Sequence, residues 1–300
     1  MQNIVPNLWF DDQAEQAVER YLEVFDETSL GRRTEYNETM AQQSGQAAGA
    51  LMAQEVTLEG FDFVAFNGGP HFEMNPSISF IVNCPTVSGT EALWQGLMEG
   101  GKAMMPLQEY EFSDCYGWCE DAFGASWQLM HTPQAPERLI VPSLMFVGDQ
   151  YGRAAEAIEL YTQVFDNSEV GSIHRAPGEE GDDGQGPVMF ADFTLRGVCL
   201  AAMDDDAAHD FQFNEGISLI VNCADQAEVD RYWDALTADG GQAQQCGWLK
   251  DTFGVRWQIV PERLTELLWE TDPATSERVA EALLQMQRID VGALEVAAQG

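Results

Sequence analysis

Glu55 and Asp192 have the setting of a general acid or base: each lies three residues before a leucine, Leu58 and Leu195, in an otherwise apolar run of strand character. A carboxyl group facing a desolvated cleft is pushed towards protonation and can carry a proton, whereas one turned to solvent is an ordinary surface carboxylate. The sequence leaves both readings open. Cys246, ahead of Gly247-Trp248, is the right type for a nucleophile, but no histidine adjoins it and Tyr116 stands in its place in the matching motif. A packed structural thiol is the expectation. The histidines, His71, His131, His174 and His209, do not recur at equivalent positions in the repeat described below, so they form no repeated ligand set. His71 and His209 read as loop surface rather than as general bases. Cys115 and Cys119, in CYGWC, lack both the redox CxxC spacing and the second Cys or His pair of a structural zinc site, and all six cysteines are expected to be free.

These residues sit in a tandem duplication. VPNLWF from Val5 returns as VPSLMF from Val141, and AVERYLEVFD ending at Asp26 returns as AIELYTQVFD ending at Asp166. ISFIVNC (Ile78 to Cys84) returns as ISLIVNC (Ile217 to Cys223), and GWCEDAFGASWQLM from Gly117 as GWLKDTFGVRWQIV from Gly247. The first copy has extra residues around MMPLQEYEFS and the second a GDQYG stretch before its first helix, changes that loops accommodate at little cost. Within each copy a strand, an amphipathic helix and further strands occur twice, a βαβββ pattern. Helices are expected over Gln13 to Phe25 and Ser88 to Glu99. Strands are expected over Val5–Phe10, Ala50–Leu58, Phe61–Phe66, Ser77–Asn83 and Ser126–Met130. From Pro261 the chain reads as two helices, PERLTELLWE and SERVAEALLQMQRI, which have no counterpart in copy one and are expected to pack across a domain face. The domains are placed at 1–135 and 136–268, with a helical tail over 269–300.

CGWLKDTFGVRWQIVP from Cys246, preceded by ISLIVNC, AEVDRYW and LTADGG, resembles the PhnB-like group of the glyoxalase/bleomycin-resistance/dioxygenase (vicinal oxygen chelate) superfamily. Its members are often labelled 3-demethylubiquinone-9 3-methyltransferase. Copy one matches at VPNLWF, NGGP, ISFIVNC and DAFGASWQ. The resemblance implies an α+β fold of two tandem glyoxalase-like domains, each of paired βαβββ modules in a curved mixed or antiparallel sheet around a small-molecule cleft. Each half of the polypeptide is then expected to wrap its own hollow. Because single-domain relatives pair as dimers, the duplication implies an intrachain pseudo-dimer, with further homo-oligomers left open.

In metal-using members one ligand comes from the first strand and another from the last. No histidine lies near Pro6 or Asn7, or near Pro142 or Ser143, and the fifth strand offers Ser77 and Gly216. The closing motif aligns with Asp121, Gly124 and Gln128, and with Asp251, Gly254 and Gln258, placing a neutral amide where a carboxylate is usual. Such a set supplies too little charge for a tightly held cation, so no metal is expected. No cofactor is expected either, because FNGGP and EEGDDGQGP read as turns and not as a phosphate cradle after a parallel strand.

Strand alternation directs Leu8 and Phe10 to the helices and Asn7 and Trp9 to the concave face; it likewise turns Gln128 and Gln258 inward and makes Trp127 and Trp257 core. The expected pocket set is Asn7, Trp9, Ser77, Gln128, Ser143, Met145, Cys246 and Gln258, with Glu55 and Asp192 as candidate proton carriers. The leading functional expectation is a metal-independent small-molecule binding protein, active in one copy. One alternative is an enzyme acting on a small carbonyl or quinone-like substrate by acid/base chemistry. The other is a structural pseudo-dimer without a ligand.

Fourteen basic against fifty acidic residues give a net charge of −36, which repels nucleic acids and anionic membranes. With neither an export segment nor a bilayer-length apolar run, a cytoplasmic protein is expected. Lys102 and Lys250 are the only lysines, and the acids are dispersed rather than gathered in a tail. This composition suits molar salt, where a Debye length of about 3 Å screens carboxylate repulsion. The melting temperature should therefore climb as KCl is raised; a melt indifferent to salt would rule the adaptation out.

Overall fold

The computed structural model describes residues 2–135, 139–177 and 186–300. Most of EEGDDGQGP lies outside them. Four βαβββ modules follow one another. The first comprises β1 (Ile4–Phe10), α1 (Ala14–Val24), β2 (Thr28–Glu35), a short α2 (Glu38–Ser44), β3 (Leu51–Leu58) and β4 (Phe61–Asn67). The second comprises β5 (Ile78–Cys84), α3 (Val87–Leu97), β6 (Lys102–Tyr110), β7 (Ser113–Glu120) and β8 (Ser126–His131). The third runs through β9 (Leu139–Phe146), α4 (Ala154–Val164), β10 (Glu169–Arg175), β11 (Val188–Leu195) and β12 (Val198–Asp204). The fourth holds β13 (Ile217–Cys223), α5 (Gln226–Thr237), β14 (Gln242–Ala243), β15 (Trp248–Lys250) and β16 (Arg256–Pro261). The MMPLQEYEFS insertion is the lengthened β6–β7 hairpin, and GDQYG forms a 3₁₀ turn over Gly148–Gln150.

Local sequence explains these elements. In α1 the buried Ala14, Ala17, Val18 and Tyr21 recur at helical spacing, and in β4 the buried Phe61, Phe63 and Ala65 alternate. Thr86 and Asp225 cap α3 and α5 by accepting from the N–H groups of Gly89 and Glu228. The helices cover one face of each sheet. Trp127 and Trp257 are fully buried beneath them, as alternation required.

The sheets do not follow the repeat. One has the order β14-β15-β16-β13-β1-β4-β3-β2, the other β10-β11-β12-β9-β5-β8-β7-β6. The first therefore joins the first and fourth modules, and the second joins the middle two. This corrects the expectation that each half of the polypeptide wraps its own hollow. β1 pairs antiparallel with β13, and β5 with β9, while β1–β4, β5–β8, β9–β12 and β13–β16 are parallel. ISFIVNC and ISLIVNC offer β1 almost identical edges, so strand chemistry cannot choose between them; the connectors decide. They cross, with the Asn75 side chain donating to Gln212 O and that of Asn214 to Glu73 O, each at 2.9 Å.

The tail forms three helices where the sequence suggested two: α6 (Glu262–Trp269), α7 (Pro273–Leu283) and α8 (Val291–Gln299). The last was missed because VGALEVAAQ lacks strong amphipathic spacing and is helical through Asp290, which caps it, and through packing of Leu294. Leu264, Leu267, Leu268, Val279 and Leu283 build a second apolar cluster that also takes in Cys246 and Val260. It roofs the concave face of the first sheet. The roof meets α2, where the Glu277 carboxylate accepts from the N–H groups of Glu38 (2.8 Å) and Thr39 (3.1 Å). Burial pushes the Glu277 carboxyl up, but the Thr39 side chain together with these two backbone bonds outweighs it and holds the group below its ordinary value. Among the described residues no helix is long and apolar enough to cross a membrane.

Candidate functional site

Between the first sheet and its roof lies a cavity of about 640 Å³, within the roughly 300–1,000 Å³ usual for small-molecule sites. β1 contributes Val5 and Asn7, β4 contributes Val64 and Phe66, and β16 contributes Gln258 and Val260. Trp248 closes one side, Met40 and Ser44 of α2 another, and Leu264, Leu268 and Trp269 descend from the roof. The cavity is thus built from both copies and the tail.

Its floor is a set of neutral polar groups. Ser218 lies opposite Asn7 in the antiparallel β1–β13 pairing. Its hydroxyl accepts from the Gln258 amide at 2.9 Å and from the Asn7 amide at 3.4 Å. These groups do not fit a divalent cation: they carry no charge to offset its dehydration, and they already bond to one another. Among the described residues no group of three or more His, Cys, Asp or Glu side chains is arranged to hold a metal ion.

Glu55 also lines this cavity. Its carboxylate accepts the backbone N–H of Arg32 at 3.0 Å, at a bulge in β2 where the pairing shifts between Leu30 and Arg33. Gly31 makes room there, since a β-carbon on it would lie 2.8 Å from that of Glu55. Asp192 does the equivalent for β10, accepting from the N–H and the hydroxyl of Ser172. Both carboxylates brace a bulge as well as facing a hollow. Cys246 lines the first cavity; burial pushes its thiol up, as suits a packed residue.

The second sheet differs. Its smaller hollow, about 390 Å³, is lined by residues such as Val141, Phe190 and Asp192. Gln128 is withdrawn from it: the amide donates to Ser79 at 2.6 Å and its oxygen accepts the Tyr116 hydroxyl at 2.8 Å. Tyr116, where copy two has Cys246, seals the floor. Burial raises its phenol far above the ordinary value.

The structure thus brings Asn7, Glu55, Cys246 and Gln258 together and puts Asp192 in the other hollow. The remaining expected pocket residues line neither. Trp9 stands behind Trp248, their rings 6.1 Å apart and edge-on, with its indole N–H on Gly69 O at 2.8 Å. Met145 is its buried counterpart. Ser77 precedes β5, and the serine opposite Ser143 is Ser79. Ser143 is buried, with its hydroxyl unpartnered among the described residues. His209 bonds Asp205 at 3.0 Å, outside both hollows. Sequence reasoning missed Arg32 and α2, and it expected the tail helices to pack across a domain face without placing them over the cavity. Aligning Gly31 with Gly171 would have exposed Arg32 as a difference between the copies; α2 and the roof carry no repeat signal.

A family model described as 3-demethylubiquinone-9 3-methyltransferase matches residues 2–130 and again 138–260. No curated protein matches the chain at a significant level. A PhnB protein from Bacillus cereus, described in the family's own terms, is 29% identical over 44% of this chain and 100% of its own, with a TM-score of 0.40. Glyoxalase I from Zea mays is 12% identical but covers 85% of this chain and 89% of its own at a TM-score of 0.56, a likeness of fold. Because the model matches once on each copy, and the sheets have the architecture of the glyoxalase fold, the chain belongs to the 3-demethylubiquinone-9 3-methyltransferase family, as a tandem member with a glyoxalase-like fold.

Proposed function

We propose that the chain is a metal-independent small-molecule binding protein whose working site is the hollow of the first sheet. The observation that carries this is the asymmetry of the two floors. Gln258 opens onto a roofed apolar cavity, whereas Gln128 is stoppered by Tyr116. An apolar enclosure with a few convergent polar groups is the usual form of a ligand site. Nile red, a neutral apolar dye, should bind once per chain, and Val64→Trp, which fills the cavity, should weaken it at least about tenfold. Dye binding untouched by this substitution would move the site elsewhere. Stoichiometric zinc, nickel or iron in protein purified at high salt would overturn the metal-free reading.

A second reading, an enzyme acting on a small carbonyl or quinone-like substrate, is favoured by the presence of Glu55 in the cavity wall. In that reading its carboxylate would be the base, held in place by the N–H of Arg32. Turnover lost in Glu55→Gln with dye binding retained would support this reading; turnover unchanged would remove it.

A further inference from the structure

We infer that the ligand of the first hollow is an organic anion, an apolar body bearing a carboxylate that pairs with the Arg32 guanidinium. This deepens the binding reading above and rests on it. The two copies align without gaps through this segment, DETSLGRRTE against DNSEVGSIHR, so that Gly31 matches Gly171 and Arg32 matches Ser172. In the second sheet the pair is closed on itself, because both the N–H and the hydroxyl of Ser172 go to Asp192. In the first sheet Glu55 takes the N–H of Arg32 and leaves its side chain unclaimed.

Arg32 is half-buried and lines the cavity. Among the described residues its guanidinium has neither a hydrogen bond nor an ion pair, although the chain carries fifty acids. Its neighbour Arg33, on the opposite face of β2, holds Glu15 at 2.8 Å and Glu35 at 3.7 Å. The other charged groups at the wall are occupied. Asp62 accepts from the Thr57 hydroxyl at 2.7 Å and from the N–H of Gln2 at 3.2 Å, and the start of α2 is capped by Glu277. Arg32 is therefore the unspent donor of the cavity, five N–H groups in a planar fork that matches a carboxylate in two-point contact. Partial burial strengthens such a contact over its value in water. Glu55 and Asp62, both nearby and anionic, disfavour a dianion such as a phosphate ester and so select a monoanion. Phe66, Trp248 and Leu268 supply the apolar surface for the body.

The test compares 2-naphthoate with 2-naphthalenemethanol, which differ in charge but little in shape, on the full-length chain at one fixed KCl concentration and neutral pH. Binding is read by calorimetry and by quenching of tryptophan fluorescence. Naphthoate should bind at least about tenfold more tightly than the alcohol. Arg32→Gln should bring the ratio of the two affinities to about one, and Glu55→Gln, which removes a neighbouring negative charge, should raise it. If the alcohol binds and naphthoate binds no better, or if the preference survives Arg32→Gln, the anion assignment falls while the binding site stands. If neither probe binds the parent protein, the binding reading itself fails and takes the assignment with it.

Discussion

Asp251→Ala is expected to cost about 3–5 kcal/mol of stability, a large share of the roughly 5–15 kcal/mol that holds a typical protein folded. The Asp251 side chain is 1% exposed and gathers four donors: the Tyr161 hydroxyl at 2.7 Å, the Trp257 indole at 2.8 Å, and the N–H groups of Phe253 at 2.9 Å and Val255 at 3.0 Å. Asp121 repeats the arrangement with Tyr21, Trp127, Phe123 and Ala125. Alanine would leave all four donors buried without an acceptor, at about 1–3 kcal/mol for each group taken alone and less than the sum because they share one network. Urea unfolding at fixed KCl measures the loss; a shift below about 1 kcal/mol would contradict the account.

The same carboxyl should also leave a mark on the pH dependence of stability. Burial raises the Asp251 carboxyl above its ordinary value, against the opposing pull of Trp257, Tyr161 and the two backbone groups. A raised value in the folded chain means tighter proton binding than in the unfolded chain. The resulting stabilisation is greatest below about pH 3.9 and is lost as pH climbs through the raised value. Asp251→Asn removes that titration, so the difference between parent and variant should change across this window and nowhere above it.

Gly216→Ala should cost about 2–4 kcal/mol, although it adds a single methyl group. A β-carbon there would lie 2.3 Å from Glu73 O, 2.6 Å from Glu73 C and 2.8 Å from Met74 Cα, all backbone atoms with little freedom to yield. Gly216 O also accepts the N–H of Trp9 at 2.9 Å. This is where the connector out of the first module crosses the one into the fourth, so relief of the clash would displace β13 against β1. Because Trp9 lies behind Trp248, ligand binding should weaken as well. The counterpart in copy one is Ser77, whose carbonyl accepts from Met145 N at 2.8 Å with a side chain in place. A serine therefore fits one crossing and not the other. A Gly216→Ala protein that melts with its parent would show that the crossing is not under this constraint.

Some of the site was legible because strand alternation is a local rule. Asn7 and Gln258 were placed on the concave face by counting along their own strands, and Trp127 and Trp257 in the core by the same count. Ser77 was chosen where Ser79 and Ser218 do the work, because which residue stands opposite Asn7 or Ser143 depends on cross-strand register, and register is a relation between strands. Gln128 was assigned by symmetry with Gln258, yet Tyr116 covers it; a repeat predicts backbone position, whereas one large side chain in place of Cys246 decides whether the position is open. Glu55 and Asp192 stood out as isolated carboxylates, and their backbone partners at Arg32 and Ser172 appeared only once β2 and β10 were seen to bulge.

The sequence by itself determined the βαβββ modules, their duplication and the family, since periodicity, turn residues and motif spacing act over a few residues at a time. Only the tertiary structure decided that β1 pairs with β13, that tail helices roof the first hollow, and that the guanidinium of Arg32 has no partner there among the described residues. Near-identical edge strands have near-identical pairing energies, so the choice between them passes to the crossing connectors and the packing of distant segments. Those contacts exist only between residues far apart in the chain.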